Sequence, residues 1–148
     1  MDDQGVADEL YTAMTNKLAA VAAGLPRAAV TRADDGDLCL TVDGDRSAEL
    51  FMMGSTEVFG LKLGTYYTVY QLAYGPDIDD KLENVDDFLH TMDLYLQGSY
   101  HEKVYESAAG TELHRDLYIN NVHVAGSHGF PRAQFRRLRA KRNYTITP

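Results

Sequence analysis

The sequence has little cysteine and proline and no long apolar run. Its single cysteine, Cys39, cannot form an intramolecular disulfide, so we expect a fold that does not depend on oxidation and a reducing cytoplasm as its setting. No stretch approaches the roughly 18 apolar residues of a membrane helix. The acidic start, MDDQGVADEL, lacks the basic and apolar regions of a signal peptide. We therefore expect one globular domain over 1–148 and no membrane partner.

Acidic side chains are missing from the last part of the chain. Residues 1–116 hold all 22 Asp and Glu against eight Lys and Arg, a net charge of −14. Residues 117–148 hold six Lys and Arg and no acid, which leaves −8 for the whole chain. A basic end on an acidic chain indicates a nucleic-acid tail, a solvated surface or a contact with another copy. The acidic body would repel nucleic acid, so the last two interpretations stay open.

Two amphipathic helices are predicted from hydrophobic periodicity. Apolar residues recur at helical spacing over about 3–23, and Gly24 followed by Pro26 ends that helix. The stretch 77–97 has its apolar residues spaced 4-3-4-3-4, with Asp77 as the N-cap and Gly98 as the C′ residue. Its acidic residues fall away from the apolar stripe. This second helix should therefore present one apolar face and one strongly acidic face.

Strands fill the rest of the chain, with turns expected at Asp35-Gly36 and Asn120-Asn121. In TYYTVYQLAY both alternating faces are apolar or aromatic, which predicts a central strand. The end is ambiguous, because PRAQFRRLRAKR has helical propensity whereas alternation from Leu138 onward favours a strand. We favour a closing strand with an exposed basic ladder. The order of elements predicts an α+β domain, a mainly antiparallel sheet packed by two main helices.

Motifs that would name a reaction are absent. There is no HxxxH, CxxC, G-x-S-x-G, P-loop or G-x-G-x-x-G pattern. The five histidines lack the spacing of a metal site, so we interpret them as surface or hydrogen-bonded residues. The paired carboxylates Asp79-Asp80 and Asp86-Asp87 lie on a charged face and should be solvated rather than catalytic. We therefore expect no enzyme, no cofactor and no metal.

The order of elements resembles that of tail terminator, or tail completion, proteins of long-tailed bacteriophages. The stretches that carry the resemblance are ELYTAMTNKLAAVAAGLP, YYTVYQLAYGPDIDDKLENVDDFLHTMDLYLQG and GFPRAQFRRLRAKRNYTIT. It covers most of the chain as architecture, whereas 99–125 does not align. The resemblance implies a virion protein, assembled in the host cytoplasm, that forms a homo-oligomeric ring, a hexamer. Such a ring caps the tail tube at the head-proximal end, and its partners are the tail tube protein and the head connector protein.

A head-to-tail ring needs two complementary patches on each subunit, and the charge layout supplies candidates. The acidic candidates are Asp79, Asp80, Glu83, Asp86 and Asp87. The basic candidates are Arg136, Arg137, Arg139, Lys141 and Arg142. No sequence-specific nucleic-acid contact is expected. An alternative from another class is a small acidic inhibitor, such as an immunity protein, whose acidic helix neutralises a basic toxin or nuclease.

Overall fold

The computed structural model describes residues 3–32, 37–42, 46–53, 56–75 and 77–148. Over these residues the chain forms nine strands in two antiparallel sheets, together with three helices. The predicted α+β class is confirmed. Its division into two separate sheets was not predicted.

The first sheet is a five-stranded meander whose strands pair in chain order. Its strands are β1 (Ala28–Arg32), β2 (Leu38–Val42), β3 (Arg46–Met53), β4 (Val58–Leu63) and β5 (Tyr67–Leu72). The predicted first hairpin is confirmed in its strands, because β1 pairs antiparallel with β2 and Arg32 lies opposite Leu38. The turn predicted at Asp35-Gly36 lies outside the described residues.

Both predicted helices are confirmed, with bounds close to those read from the periodicity. They are α1 (Asp3–Ala23) and α2 (Ile78–Leu96). The side chain of Asp77 caps α2 by accepting a hydrogen bond of 2.9 Å from the backbone N–H of Asp79. Gly98 follows the helix with a φ of 82°, a conformation that glycine adopts without the steric cost of a Cβ atom.

The core lies between these two helices and the first sheet. The apolar stripes of α1 and α2 are buried against side chains from β2, β3 and β4. The side chains with no exposed surface include Leu10, Leu18, Leu50, Phe59 and Val85. Burial of each such side chain contributes about 1.5–3 kcal/mol relative to leaving it in water, so this packing is the main stabilising term for the fold.

The second sheet follows α2 and has the strand order β8-β7-β6-β9. Its strands are β6 (Tyr100–Glu106), β7 (Glu112–Ile119), β8 (Val122–Gly126) and β9 (Arg142–Ile146). The predicted turn at Asn120-Asn121 is confirmed, because both residues have positive φ values, 52° and 63°, as a two-residue hairpin turn requires. Helix α3 (Arg132–Arg139) connects β8 to β9.

The prediction of a closing strand from Leu138 onward was wrong in its extent. Leu138 and Arg139 belong to α3, and the strand begins only at Arg142, where pairing with Glu106 of β6 starts. The apolar residues of α3, Ala133, Phe135 and Leu138, are two and three positions apart, so alternation over a few residues does not separate the two states. The basic residues are consequently divided between a helix and a strand.

The prediction that TYYTVYQLAY forms a central strand was also wrong. Strand β5 is the last strand of the first sheet. Its outward face stays open, with Tyr70 59% exposed and Tyr74 72% exposed, while Tyr67 on the other face is buried. Aromatic residues on both faces favour a strand, but they carry no information about which strands pair with it.

Strand β5 faces β8 across the junction of the two sheets. The Tyr67 hydroxyl donates a hydrogen bond to the Glu102 carboxylate of β6, and the Gln71 side-chain amide donates to the Asn84 carbonyl oxygen of α2. Burial, and then the bond to Glu102, raise the pKa of Tyr67. These side-chain bonds fix the position of β5 relative to the elements beside it.

Candidate functional site

The acidic face of α2 is built by the helix period. Val85, Phe88 and Met92 point into the core, which turns the carboxylates of the same helix toward solvent. All five predicted acidic residues are exposed: Asp79, Asp80, Glu83, Asp86 and Asp87. In the described part of the chain only the Asp86 side chain has a partner among these five, the Lys17 ammonium of α1 at 2.7 Å. This face therefore presents a mostly uncompensated negative charge.

The predicted basic residues do not form one open patch. Arg136 donates to the backbone carbonyl of Leu113 at 2.9 Å, and Arg137 binds the Asp116 carboxylate. Arg142 lies 4.0 Å from the Glu106 carboxylate of the neighbouring strand. Several of the basic side chains thus have a role within their own chain.

Arg139 and Lys141 are different, because both are exposed and neither side chain has a partner within the described residues. Arg132, which is not among the predicted basic residues, is likewise exposed and has no side-chain partner within the described residues. None of the five acidic residues of α2 pairs with any of the five basic residues over the described ranges. Within one chain, the acidic and the basic surface therefore do not neutralise each other.

A buried polar cluster centred on Asp116 was missed by sequence reasoning. The Asp116 side chain is 1% exposed and lies on β7 two residues after His114, which is fully buried. Its Oδ1 accepts from His114 Nε2 at 2.8 Å and from His123 Nε2 at 3.0 Å. Arg137 binds both carboxylate oxygens, with Nε at 2.9 Å from Oδ2 and Nη2 at 2.7 Å from Oδ1.

These donors keep Asp116 ionised inside the protein. Burial by itself raises the pKa of the Asp116 carboxyl, but the hydrogen bonds from Arg137, His114 and His123 outweigh burial and lower that pKa to about 2. The bidentate Arg137 contact is the strongest kind of charge-assisted pair. The carboxylate is thus a fixed negative centre that ties β7, β8 and α3 together.

The hydrogen bonds around His114 fix its tautomer. Because Asp116 is an ionised acceptor, Nε2 of His114 donates to it, and in the neutral ring Nδ1 is then the acceptor. Nδ1 of His128 and the Ser127 hydroxyl both lie within hydrogen-bond distance of this Nδ1, at 3.2 and 3.4 Å. The Ser127 hydroxyl lies 3.2 Å from His128 Nδ1. A chain of hydrogen bonds therefore runs from Asp116 through His114 to His128.

This chain ends at a groove of about 720 Å³ between the edge strands β5 and β8, next to α3. His123, Ser127 and His128 line one side. Tyr66, Tyr70 and Phe130 add exposed aromatic surface, and Phe130 is 80% exposed. The groove combines polar groups of defined orientation with flat apolar walls.

Three of the five histidines, His114, His123 and His128, lie together and are hydrogen-bonded, and His90 is exposed, so the interpretation as surface or hydrogen-bonded residues holds for these four. Within the described residues no group of histidine, cysteine and carboxylate side chains has the geometry of a metal site. The signal in the sequence was the spacing of His114 and Asp116, which places both on one face of a strand. The Asn120-Asn121 turn then brings β8, with His123, back beside them.

The tyrosines divide between the core and the surface. Tyr67 and Tyr95 are buried, and the Tyr95 ring stacks on Tyr100 with 4.6 Å between centroids. Tyr66, Tyr70 and Tyr74 are about half exposed or more, at 49%, 59% and 72%. This exposed group is available for contact with a ligand or a partner.

The fold and the site together define an α+β protein, mostly β, with one acidic and one basic surface and a buried polar cluster between the second sheet and α3. No family model, curated protein or solved structure matches this chain. Among the described helices, none is long and apolar enough to cross a membrane. Any function must accordingly be argued from the surfaces themselves.

Proposed function

We propose that this protein is a non-enzymatic assembly subunit that binds further copies of itself head to tail. The observation that carries the proposal is the pair of opposite charged surfaces, which are exposed in one chain and do not pair with each other. The acidic surface is the solvent face of α2, and the basic surface consists of Arg132, Arg139 and Lys141. Two different complementary patches on one subunit are what a heterologous interface requires.

A heterologous interface closes into a ring when the rotation between subunits divides a full turn, and otherwise grows into a filament. The particular form that we propose is the ring of a tail terminator-like virion protein, a hexamer that caps the tail tube and meets the head connector. Support comes from the order of elements in the sequence. In this form the protein would act by geometry, assembled in the host cytoplasm, with no cofactor and no sequence-specific nucleic acid.

The acidic face of α2 also favours a second candidate, a small inhibitor of a basic toxin or nuclease. Its carboxylates are held by a helix that is capped at Asp77 and packed on the core, so little ordering would be needed on binding. An inhibitor of this kind would not need the basic surface formed by Arg132, Arg139 and Lys141. Whether the chain binds further copies of itself therefore distinguishes the assembly subunit from the inhibitor.

The test is the mass of the purified chain as a function of concentration and salt, followed by electron microscopy of the largest species. We expect closed rings that dissociate as salt rises, because the contacts between exposed charges are screened. A monomer at every concentration in low salt would contradict the ring and favour the inhibitor. An open filament would keep the head-to-tail contact and refute the terminator.

A further inference from the structure

We propose that the groove between β5, β8 and α3 is a binding site for a small aromatic anion, a carboxylate or a phosphate carried on a flat ring. This inference goes beyond assembly and holds whether or not the chain forms rings. It rests on a juxtaposition in the structure. A buried hydrogen-bonded chain, Asp116–His114–His128, ends beside exposed aromatic side chains.

The polar side of the groove is organised before any ligand arrives. Asp116 and His114 are 1% and 0% exposed, and their hydrogen bonds hold the imidazole rings of His114 and His128 in position. The Ser127 hydroxyl accepts from the backbone N–H of Arg115 at 3.0 Å and lies 3.2 Å from Nδ1 of His128, so it is held beside that ring. Preorganised polar groups of this kind bind a ligand at a small entropic cost.

The sign of the ligand follows from the charges around the groove. The negative charge of Asp116 is already compensated by the bidentate contact of Arg137. The described residues that line the groove include no carboxylate, and besides Arg137 the lining side chains that can carry a positive charge are His123 and His128. A protonated histidine there adds positive charge that no lining carboxylate balances, which favours an anion.

The exposed aromatic residues that line the groove indicate that the ligand carries a flat ring. Tyr70 of β5 and Tyr66, which precedes that strand, are both about half exposed, and Phe130, which precedes α3, also lines the groove. The Arg115 guanidinium already lies over the Tyr66 ring, 4.2 Å from its centroid, so Tyr70 and Phe130 offer the more open ring surfaces. An exposed aromatic side chain gains stacking and burial when a flat ring covers it, worth about 0.5–1.5 kcal/mol beyond the buried area. The groove volume of about 720 Å³ is in the range of small-molecule sites.

Protonation of His128 links anion binding to pH. If His128 takes a proton on Nε2, its positive charge is added to the groove, where a bound anion is its counter-ion. The other groups that face His128 are Arg132, Arg136 and His114, which oppose this charge, and Glu112, which favours it. We therefore expect a protonated, cationic His128 in the complex and tighter binding at pH 5.5 than at pH 8, by about three- to tenfold.

The experiment is an NMR titration of the ¹⁵N-labelled full chain with three probes of the same size class: benzoate, phenyl phosphate and the neutral benzamide. We expect saturable shifts at residues of β8 and α3 with at least one anion, and binding of benzamide at least about tenfold weaker. The two anions distinguish a carboxylate site from a phosphate site. Equal binding of benzamide would overturn the choice of an anion, and no saturable shift with any probe would overturn the site.

Substitutions locate the binding and separate it from folding. His128→Gln removes the charge that the ring can carry and should weaken anion binding at least about fivefold and flatten its pH dependence, with a dispersed spectrum retained. His90→Gln is the matched control, because His90 is an exposed histidine of α2. Tyr70→Ala tests the wall without touching the polar cluster. If His128→Gln and Tyr70→Ala both bind as the wild type does, the anion lies elsewhere and the proposal fails.

Discussion

Asp116 shows how much of a site can depend on a single residue. A carboxylate that is 1% exposed would be costly if unpaired, since an uncompensated buried charge costs several kcal/mol. Here three side chains from two strands and a helix donate to it. The same contacts that keep the charge stable also hold His114 and Arg137 in one orientation. Stability and organisation of the groove thus have a common origin.

The first prediction concerns the removal of this charge. Asp116→Asn leaves the Arg137 guanidinium without its anionic partner and replaces an acceptor of several hydrogen bonds by an amide. We expect the free energy of unfolding to fall by about 3 kcal/mol, measured by urea denaturation. Asp79→Asn is the matched control, since that carboxylate is exposed and has no side-chain partner in the described chain, and it should change stability by less than about 0.5 kcal/mol. Equal effects of the two substitutions would contradict the assigned role.

The second prediction concerns pH. The pKa of Asp116 is lowered from 3.8 to about 2 in the folded protein, so the unfolded chain binds the proton more tightly. The stabilisation is therefore complete above about pH 4 and is lost as the pH falls through about 2, and its size is about 2 kcal/mol. Other carboxylates titrate in the same range, so the useful quantity is the difference in unfolding free energy between wild type and Asp116→Asn. We expect this difference to shrink by about that amount between pH 5 and pH 2, and a constant difference would be evidence against the low pKa.

Among the secondary-structure elements, the helices were the easiest to predict. The apolar spacing of α2, together with Asp77 and Gly98, gave its bounds to within a residue, because caps and periodicity are local properties. The position of β5 at a sheet edge and the switch from α3 to β9 depend on pairing with residues far along the chain. A short window of sequence carries no information about which distant strand will pair with it. That is why both were predicted wrongly.

Helix α2 also carries a buried lysine, which its position in a helix with a strongly acidic face does not predict. Lys81 is 2% exposed, and its ammonium donates to the backbone carbonyls of Thr56 and Ala73 at 2.7 and 2.6 Å. These carbonyls flank the strands β4 and β5. The lysine therefore ties the start of the helix to the ends of two strands.

The third prediction tests that connection. Lys81→Met keeps the length of the side chain but leaves two carbonyl oxygens without their donor, which should cost about 2 kcal/mol of unfolding free energy. Lys62→Met is the control, because Lys62 is 47% exposed and lies 3.9 Å from Glu49, a weak contact. Hydrogen exchange should also show faster opening around Thr56 and Ala73 in Lys81→Met alone. Protection at the wild-type level would mean that the carbonyls find other partners.

For the whole molecule, the charge division was predicted from the sequence and the polar cluster was not. Counting charges along the chain needs no structure, and the exposed carboxylates of α2 lie where the helix period placed them. The roles of Arg136 and Arg137 within the chain required knowledge of where β7 lies relative to α3. Read from the sequence alone, a charged residue can lie exposed on a surface or belong to a buried ion pair. Only the three-dimensional arrangement separates these uses.

The last prediction exchanges the two charged surfaces and tests the head-to-tail contact directly. One variant, with Asp80, Glu83 and Asp87 all changed to Lys, changes the net charge of the five acidic positions of α2 from −5 to +1, and the other, Arg139→Glu with Lys141→Glu, changes the three basic positions from +3 to −1. All five side chains are exposed and have no side-chain partner in the described residues, so both variants should fold. Each variant alone would then place like charges against each other at the interface between copies.

We expect each variant alone to associate at least about tenfold more weakly than the wild type in sedimentation velocity at about 0.1 M salt. An equal mixture should assemble again, because the basic α2 face of one variant meets the acidic end of the other, and the unchanged surfaces also match. At about 1 M salt the Debye length falls from about 10 to about 3 Å, so the difference between the wild type and the variants should largely vanish. If the mixture stays dissociated, or if the single variants associate as the wild type does, these two surfaces do not form the contact. Recovery by mixing is the decisive result, since neither misfolding nor a general change of net charge produces it.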